Sequence, residues 1–205
     1  MSERTDEILK ELGYKPAKTK TTQPQTVGVQ GRDLFQTPNY AVDLLIPFIP
    51  EHVHRIWECA AGDRKITNRL IYHGYDTYST DLRDEVSANF LTWHLRDQYT
   101  YCDAIVTNPP FSLKQKFYDR CLEYNLPFAL LIPADYSIWT IDACMEDGAE
   151  KIVPRRRVDY ITPSGLSGAT GNTADFHSMW LTWGFRLGKT ETFVELSLED
   201  KKNNI

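Results

Sequence analysis

The sequence predicts an α/β fold: a mainly parallel twisted sheet with helices on both faces and an antiparallel strand late in the chain. Three observations point there. From Arg32 onward, short apolar runs of strand length alternate with stretches of helical periodicity. That alternation implies right-handed βαβ crossovers. The residues capable of chemistry, Glu58–Asp63, Asp81 and Asn108–Phe111, fall at the ends of three of the strand candidates. The carboxyl ends of parallel strands are where open α/β sheets bind ligands.

Composition bounds the problem. The chain has 205 residues, enough for one domain and a small appendage. A hydrophobic fraction of 41% and a charged fraction of 25% exclude disorder throughout. No apolar run reaches the roughly 18 residues of a membrane span, so no membrane partner is expected. The charged N-terminus, MSERTDEILKELG, does not read as a secretory signal. Cys59, Cys102, Cys121 and Cys144 form no CxxC pair, so no metal site is expected and the thiols are read as reduced. These features give a cytoplasmic domain as the expectation. The formal charge of −5 removes any global attraction to nucleic acid, so such contacts must be local.

Residues 1–31 read as an N-terminal helix followed by a flexible basic arm. Ile8, Leu9 and Leu12 share one face of a helix over Asp6–Leu12, and the arm carries Lys15, Lys18 and Lys20. Residues 32–198 read as the catalytic domain and 199–205 as a polar tail. Thr37 and Pro38 suit the cap and first position of a helix over Pro38–Ile49. Arg55–Ala60 is an apolar strand, Gly62 and Asp63 mark a turn, and Ile66–His73 is helical in pattern. Asp76–Thr80 is a second strand, ending at Asp81, and Asp103–Thr107 a third. Ser112 can cap a helix through Tyr124. A buried strand follows at Phe128–Ile132, then a helix over Ile138–Asp147. Lys151–Val153, Met179–Trp183 and Thr192–Leu196 complete the set as late strands.

The most informative segment is Asn108-Pro109-Pro110-Phe111. Two consecutive prolines hold the chain rigid and extended. The Asn side chain offers a donor and an acceptor, and an aromatic ring follows three residues on. A rigid frame carrying an amide and a ring suits a planar nucleobase with an exocyclic amine. In that reading the ring stacks on the base, and the Asn108 and Pro109 carbonyl oxygens accept from the amine. Arg155, Arg156 and Arg157 follow a strand and can straddle a phosphate backbone, and Lys114 lies close enough to the motif to meet a phosphate. Pro163–Asp175, rich in Gly, Ser and Thr, reads as a substrate loop or a long hairpin connection.

Asn108–Phe111 resembles the (D/N/S)PP(Y/F) motif of S-adenosylmethionine-dependent amino-methyltransferases. Other segments are similar to the same family in the same order. Phe35-Gln36-Thr37-Pro38 resembles its F-x-T-P segment, which touches the methionine end of the cofactor. Glu58-Cys59-Ala60-Ala61-Gly62-Asp63 resembles its E-P-x-x-G-x-G loop, with Arg64 where a second glycine often stands. Asp81 matches the acidic residue that holds the ribose, and Asn89-Phe90-Leu91 the D-F-L beside the adenine. The order is that of the gamma arrangement of N6-adenine methyltransferases, and it also looks like a small single-domain group common in phage and bacterial genomes. A late A-D-(F/Y), here Ala174-Asp175-Phe176, closes the core in that group.

The resemblance implies a Rossmann-like class I methyltransferase with S-adenosyl-L-methionine as cofactor and S-adenosyl-L-homocysteine as product. It implies a catalytic loop at Asn108, Pro109, Pro110 and Phe111. Cofactor contacts would come from Phe35, Gln36, Thr37, Pro38, Glu58, Ala60, Gly62, Asp81, Asn89, Phe90 and Asn108. Substrate contacts would come from Phe111, Lys114, Arg155, Arg156 and Arg157. The expected substrate is the N6 amine of adenine, in DNA ahead of RNA, with a flipped base and a possible partner subunit or homodimer. Three alternatives stand beside it: RNA adenine, the side-chain amide of protein glutamine, and a cofactor-binding subunit without catalysis.

Overall fold

Parallel pairing dominates the sheet, and among the described residues helices join three pairs of strands that are consecutive in the chain. A computed structural model of the chain describes residues 35–83, 89–92, 101–162, 165–166 and 176–203. The helix expected over Asp6–Leu12, the arm with Lys15, Lys18 and Lys20, and most of Pro163–Asp175, including Ala174 and Asp175, lie outside these residues.

Nine strands are described: β1 (Arg55–Glu58), β2 (Asp76–Ser79), β3 (Ala104–Thr107), β4 (Phe128–Pro133), β5 (Glu150–Pro154), β6 (Ile161–Thr162), β7 (Gly165–Leu166), β8 (Ser178–Trp183) and β9 (Glu191–Val194). Seven form one sheet in the order β2-β1-β3-β4-β8-β5-β9, and β6 and β7 pair separately. Within the seven, all are parallel except β8, which runs antiparallel between β4 and β5. The expected late antiparallel strand is therefore inserted within the sheet rather than added at its edge. The chain order reverses between β1 and β3, and this is the switch point beyond which ligands bind in such sheets.

Five helices accompany the strands among the described residues: α1 (Asn39–Asp43), α2 (Lys65–Tyr72), α3 (Lys114–Tyr124), α4 (Ile138–Met145) and α5 (Leu198–Asn203). Side-chain alternation along the strands splits the core in two. Ile56, Val106, Leu131 and Trp180 face α1 and α2, meeting Tyr40, Val42, Ile66 and Leu70. Trp57, Ile105, Leu130 and Leu181 face the other way, onto Phe117, Tyr118 and Cys121 of α3 and Ala143 of α4. Helices thus cover both faces, as the sequence predicts.

Local signals mislead at four places. The helix expected over Pro38–Ile49 stops at Asp43 and resumes as a 3-10 turn at Ile46–Phe48. Pro47 lacks the N–H that would continue the ladder. Pro38, not Thr37, occupies the cap, and Thr37 is buried without a capping bond. Ser112 does not cap α3, because it sits inside a 3-10 turn, Phe111–Leu113, that precedes the helix. The segment read as a polar tail carries α5, whose Lys201 ammonium pairs with Asp159 and donates to the Arg157 carbonyl at 3.1 Å. Partners so far back in the chain leave no local periodic trace.

Candidate functional site

The carboxyl ends of β1, β2 and β3 bring three of the expected segments to one edge. At the end of β1, Gly62 adopts φ +53°, and Arg64 follows at φ 58°. Both positions are left-handed, a conformation that glycine adopts most readily, and Arg64 adopts it without being a glycine. The Gly62 N–H donates to Asp81 Oδ2 at 2.7 Å, which ties the loop to the end of β2. Asp81 Oδ1 accepts from the Arg83 N–H and Nε, each at 2.9 Å. Asp81 is 9% exposed. Oδ2 accepts one bond and keeps a second lone pair, so the group can still accept from a hydroxyl.

Gly62 is favoured by its φ, and the Gln36 amide sits in the space a side chain would take. A Cβ there would lie 2.8 Å from Gln36 Oε1 and 3.0 Å from Gln36 Nε2. Gln36 Oε1 accepts from the Asp63 N–H at 2.9 Å. The glycine expected to let the backbone approach a cofactor closely therefore also admits a side chain of the protein itself.

Asn108 follows β3. Its Nδ2 donates to the Phe35 carbonyl at 3.3 Å. A carbonyl can only accept, so the amide nitrogen is turned toward Phe35 and the oxygen away from it. That oxygen, Oδ1, is buried and has no hydrogen-bond partner among the described residues. Buried acceptors are nearly always satisfied, so an orphan at a strand end is a place where an incoming donor would be accepted. Pro109 is buried, and Pro110 is extended at φ −51°, ψ 123°.

The structure reassigns several expected contacts. Glu58 is 2% exposed and points into the protein. Its Oε2 accepts from the Thr67 N–H at 2.7 Å and from the Thr67 hydroxyl, in the first turn of α2. Burial pushes its carboxyl up to about 8, against those two hydrogen bonds. Glu58 therefore caps a helix rather than facing solvent. Phe111 is 7% exposed, with its ring edge-on to Tyr160 and Phe176 at 5.8 and 5.4 Å, so it is not presented for stacking on a base. Phe90 is 2% exposed among Trp57, Phe117 and Tyr124, a core position under β1. Asn89 Oδ1 accepts from the Leu91 N–H, closing a local turn. Ala60 is partly exposed beside the loop, while Thr37 and Pro38 are buried behind the strap that carries Phe35 and Gln36.

The basic residues divide. Arg155, Arg156 and Arg157 leave the carboxyl end of β5, and because β5 is parallel to β4 they emerge on the same edge as Asn108. All three are exposed, and Arg155 pairs with Glu195 at 3.1 Å. Lys114 is held by Asp135 Oδ2 at 2.6 Å. Burial raises the Asp135 carboxyl, but Lys114, Ser137 and Thr140 outweigh it and bring it down to about 2. A cavity of about 650 Å³ lies elsewhere, between β5, β8 and β9, and of the expected site residues only Arg155 lines it. The chemistry-bearing groups, not cavity size, locate the site.

Sequence reasoning missed Gln36 as a structural link and missed the Phe35 carbonyl as the group that orients Asn108. The F-x-T-P signature was the only signal, and it does not distinguish the middle residue.

No family model and no curated protein matches the chain. Among solved structures, it is similar to the methyltransferase subunit of a type I restriction-modification system from Streptococcus thermophilus, with a TM-score of 0.52 and 12% identity. That match covers 79% of this chain and 47% of the other, so the chain spans about half its length. A second similar structure is the glycopeptide N-methyltransferase MtfA, complexed with S-adenosyl-L-methionine, at a TM-score of 0.40 and 11% identity, covering 80% of this chain and 82% of that one. The first likeness, together with the mixed sheet and its inserted antiparallel strand, shows that this chain has the Rossmann-like class I methyltransferase fold.

Proposed function

We propose that this chain transfers a methyl group from S-adenosyl-L-methionine to the exocyclic N6 amine of adenine, with DNA as the substrate. The observation that carries the reading is the Asn108 side chain. Its nitrogen is engaged by Phe35, and its buried oxygen has no donor among the described residues. An amine attached to a planar ring supplies such a donor. The setting is in keeping with the fold, the ribose-type carboxylate at Asp81 and the left-handed glycine loop.

When bound, S-adenosyl-L-methionine supplies a methyl group on a positively charged sulfur. Asp81 and the 59–63 loop are the residues to hold it, and the Phe35–Gln36 strap borders the same loop. Asn108 Oδ1 and the Pro109 carbonyl accept from the substrate amine. They draw its lone pair out of conjugation and orient it for in-line displacement. Asparagine is too weak a base to keep a proton, so the proton released from the amine passes to solvent. Phe111, enclosed by Tyr160 and Phe176, buttresses the loop. The exposed Arg156 and its neighbours offer local attraction to phosphate on an otherwise acidic protein. The restriction-modification protein of like fold supports DNA ahead of RNA.

The test is tritiated methyl transfer to unmethylated DNA, bulk RNA and protein extract, followed by nucleoside and amino-acid analysis. N6-methyladenosine from RNA alone, or methylglutamine, overturns the DNA substrate. Asn108→Ala should abolish transfer while changing S-adenosylhomocysteine affinity by less than about tenfold. An active Asn108→Ala enzyme refutes the site.

A further inference from the structure

Phe35 and Gln36 touch both the glycine loop and Asn108. The Phe35 carbonyl accepts from Asn108 Nδ2 at 3.3 Å. Its ring stacks on Tyr160 at 5.5 Å. The Gln36 side chain accepts from the Asp63 N–H of the glycine loop at 2.9 Å. The Gln36 backbone forms a two-way bridge with Ile161 in β6, its N–H donating at 2.8 Å and its carbonyl accepting at 3.0 Å. One residue thus binds the cofactor-side loop with its side chain and the β6–β7 hairpin with its main chain. The absence of a Cβ at Gly62 is what lets the amide sit so close.

Building on the function proposed above, we infer that Gln36 is a positioning residue that couples the glycine loop to the β6–β7 hairpin. Ordering the loop around a cofactor fixes the Asp63 N–H, and this fixes Gln36. The Gln36–Ile161 bridge is then held more firmly. Because β6 leads from the Arg155–Arg157 segment, a filled cofactor site also sets the backbone on the substrate side. The coupling runs through hydrogen bonds on a single residue, so one substitution removes it while leaving both ends in place.

Hydrogen exchange of the full chain, with and without saturating S-adenosylhomocysteine, tests this. In the wild type the ligand should slow exchange at the Ile161 amide at least about tenfold. Gln36→Leu, with an unchanged far-ultraviolet spectrum and compared at ligand concentrations that saturate the variant itself, should lose the ligand-induced protection of Ile161. Gln36→Glu, which keeps an accepting oxygen for Asp63, should restore it. A merely structural role would lower Ile161 protection equally with and without ligand, and that result overturns the coupling. So does retained ligand-induced protection in Gln36→Leu, its absence in Gln36→Glu, or its absence in a wild type that binds the ligand. A folded wild type that binds no S-adenosylhomocysteine overturns the parent reading and the coupling with it.

Discussion

Replacing Glu58 with Gln should remove a pH dependence of stability that the wild type shows near neutrality. Glu58 is buried, and burial raises its carboxyl from an ordinary 4.5 to about 8. Between those values the folded chain holds a proton that the unfolded chain has released. Stability therefore is full below about pH 4.5 and falls as pH rises toward 8. The slope for one such group is about −1.4 kcal/mol per pH unit, so the loss from about pH 5.5 to about pH 7.5 comes to about 3 kcal/mol. The amide of the Glu58→Gln variant cannot titrate, yet its carbonyl can still accept from the Thr67 N–H and hydroxyl that Glu58 now engages. The difference in unfolding free energy between variant and wild type should accordingly grow in the variant's favour by about 3 kcal/mol over that range. Urea unfolding followed by tryptophan fluorescence reads it, since Trp57 and Trp180 are both buried. Parallel pH profiles for the two proteins, within about 0.5 kcal/mol, would refute the reasoning and return Glu58 to the ionised state.

The remaining predictions follow from neighbouring contacts. Lys114→Met removes the cation at 2.6 Å from Asp135. The Asp135 carboxyl, held at about 2, contributes stability that is present above its ordinary 3.8 and is lost as pH falls toward 2. The variant should unfold in acid at higher pH than the wild type and cost about 1 kcal/mol or less at neutrality, as read by a circular-dichroism acid titration. An unmoved acid midpoint contradicts the pairing. Arg64→Gly relieves a left-handed residue at φ 58°. Relief of about 1–2 kcal/mol is set against the greater freedom of glycine in the unfolded chain, about 0.5–1 kcal/mol. The net gain should lie between nil and about 1.5 kcal/mol in thermal unfolding, and a clear loss of stability would show that Arg64 side-chain contacts outweigh the backbone strain.

Much of this architecture is legible in the chain itself. The runs AIVT and FALLI are apolar because strands buried on both faces have no polar side to show, and both are strands of the sheet. The edge at which Glu58–Asp63, Asp81 and Asn108–Phe111 gather follows from their positions at strand ends, which local pattern reveals. Helix starts were less legible. Thr37 and Ser112 have the right chemistry for caps, but one is buried and the other is folded into a 3-10 turn, and each was overridden by what packs around it.

What each polar group does was decided only in three dimensions. Glu58 looks like a loop residue in sequence, and Thr67 turns it into a buried helix cap. Phe111 looks available for stacking, and Tyr160 and Phe176 enclose it. Asn108 offers a donor and an acceptor in sequence, and the Phe35 carbonyl, 73 residues earlier, takes the donor and leaves the acceptor without a partner among the described residues. Strand and helix periods are properties of neighbours in the chain, so sequence alone determines them. The orientation of a side-chain amide or the protonation of a carboxyl depends on partners brought close by folding and on the water they exclude, and sequence spacing carries no record of either.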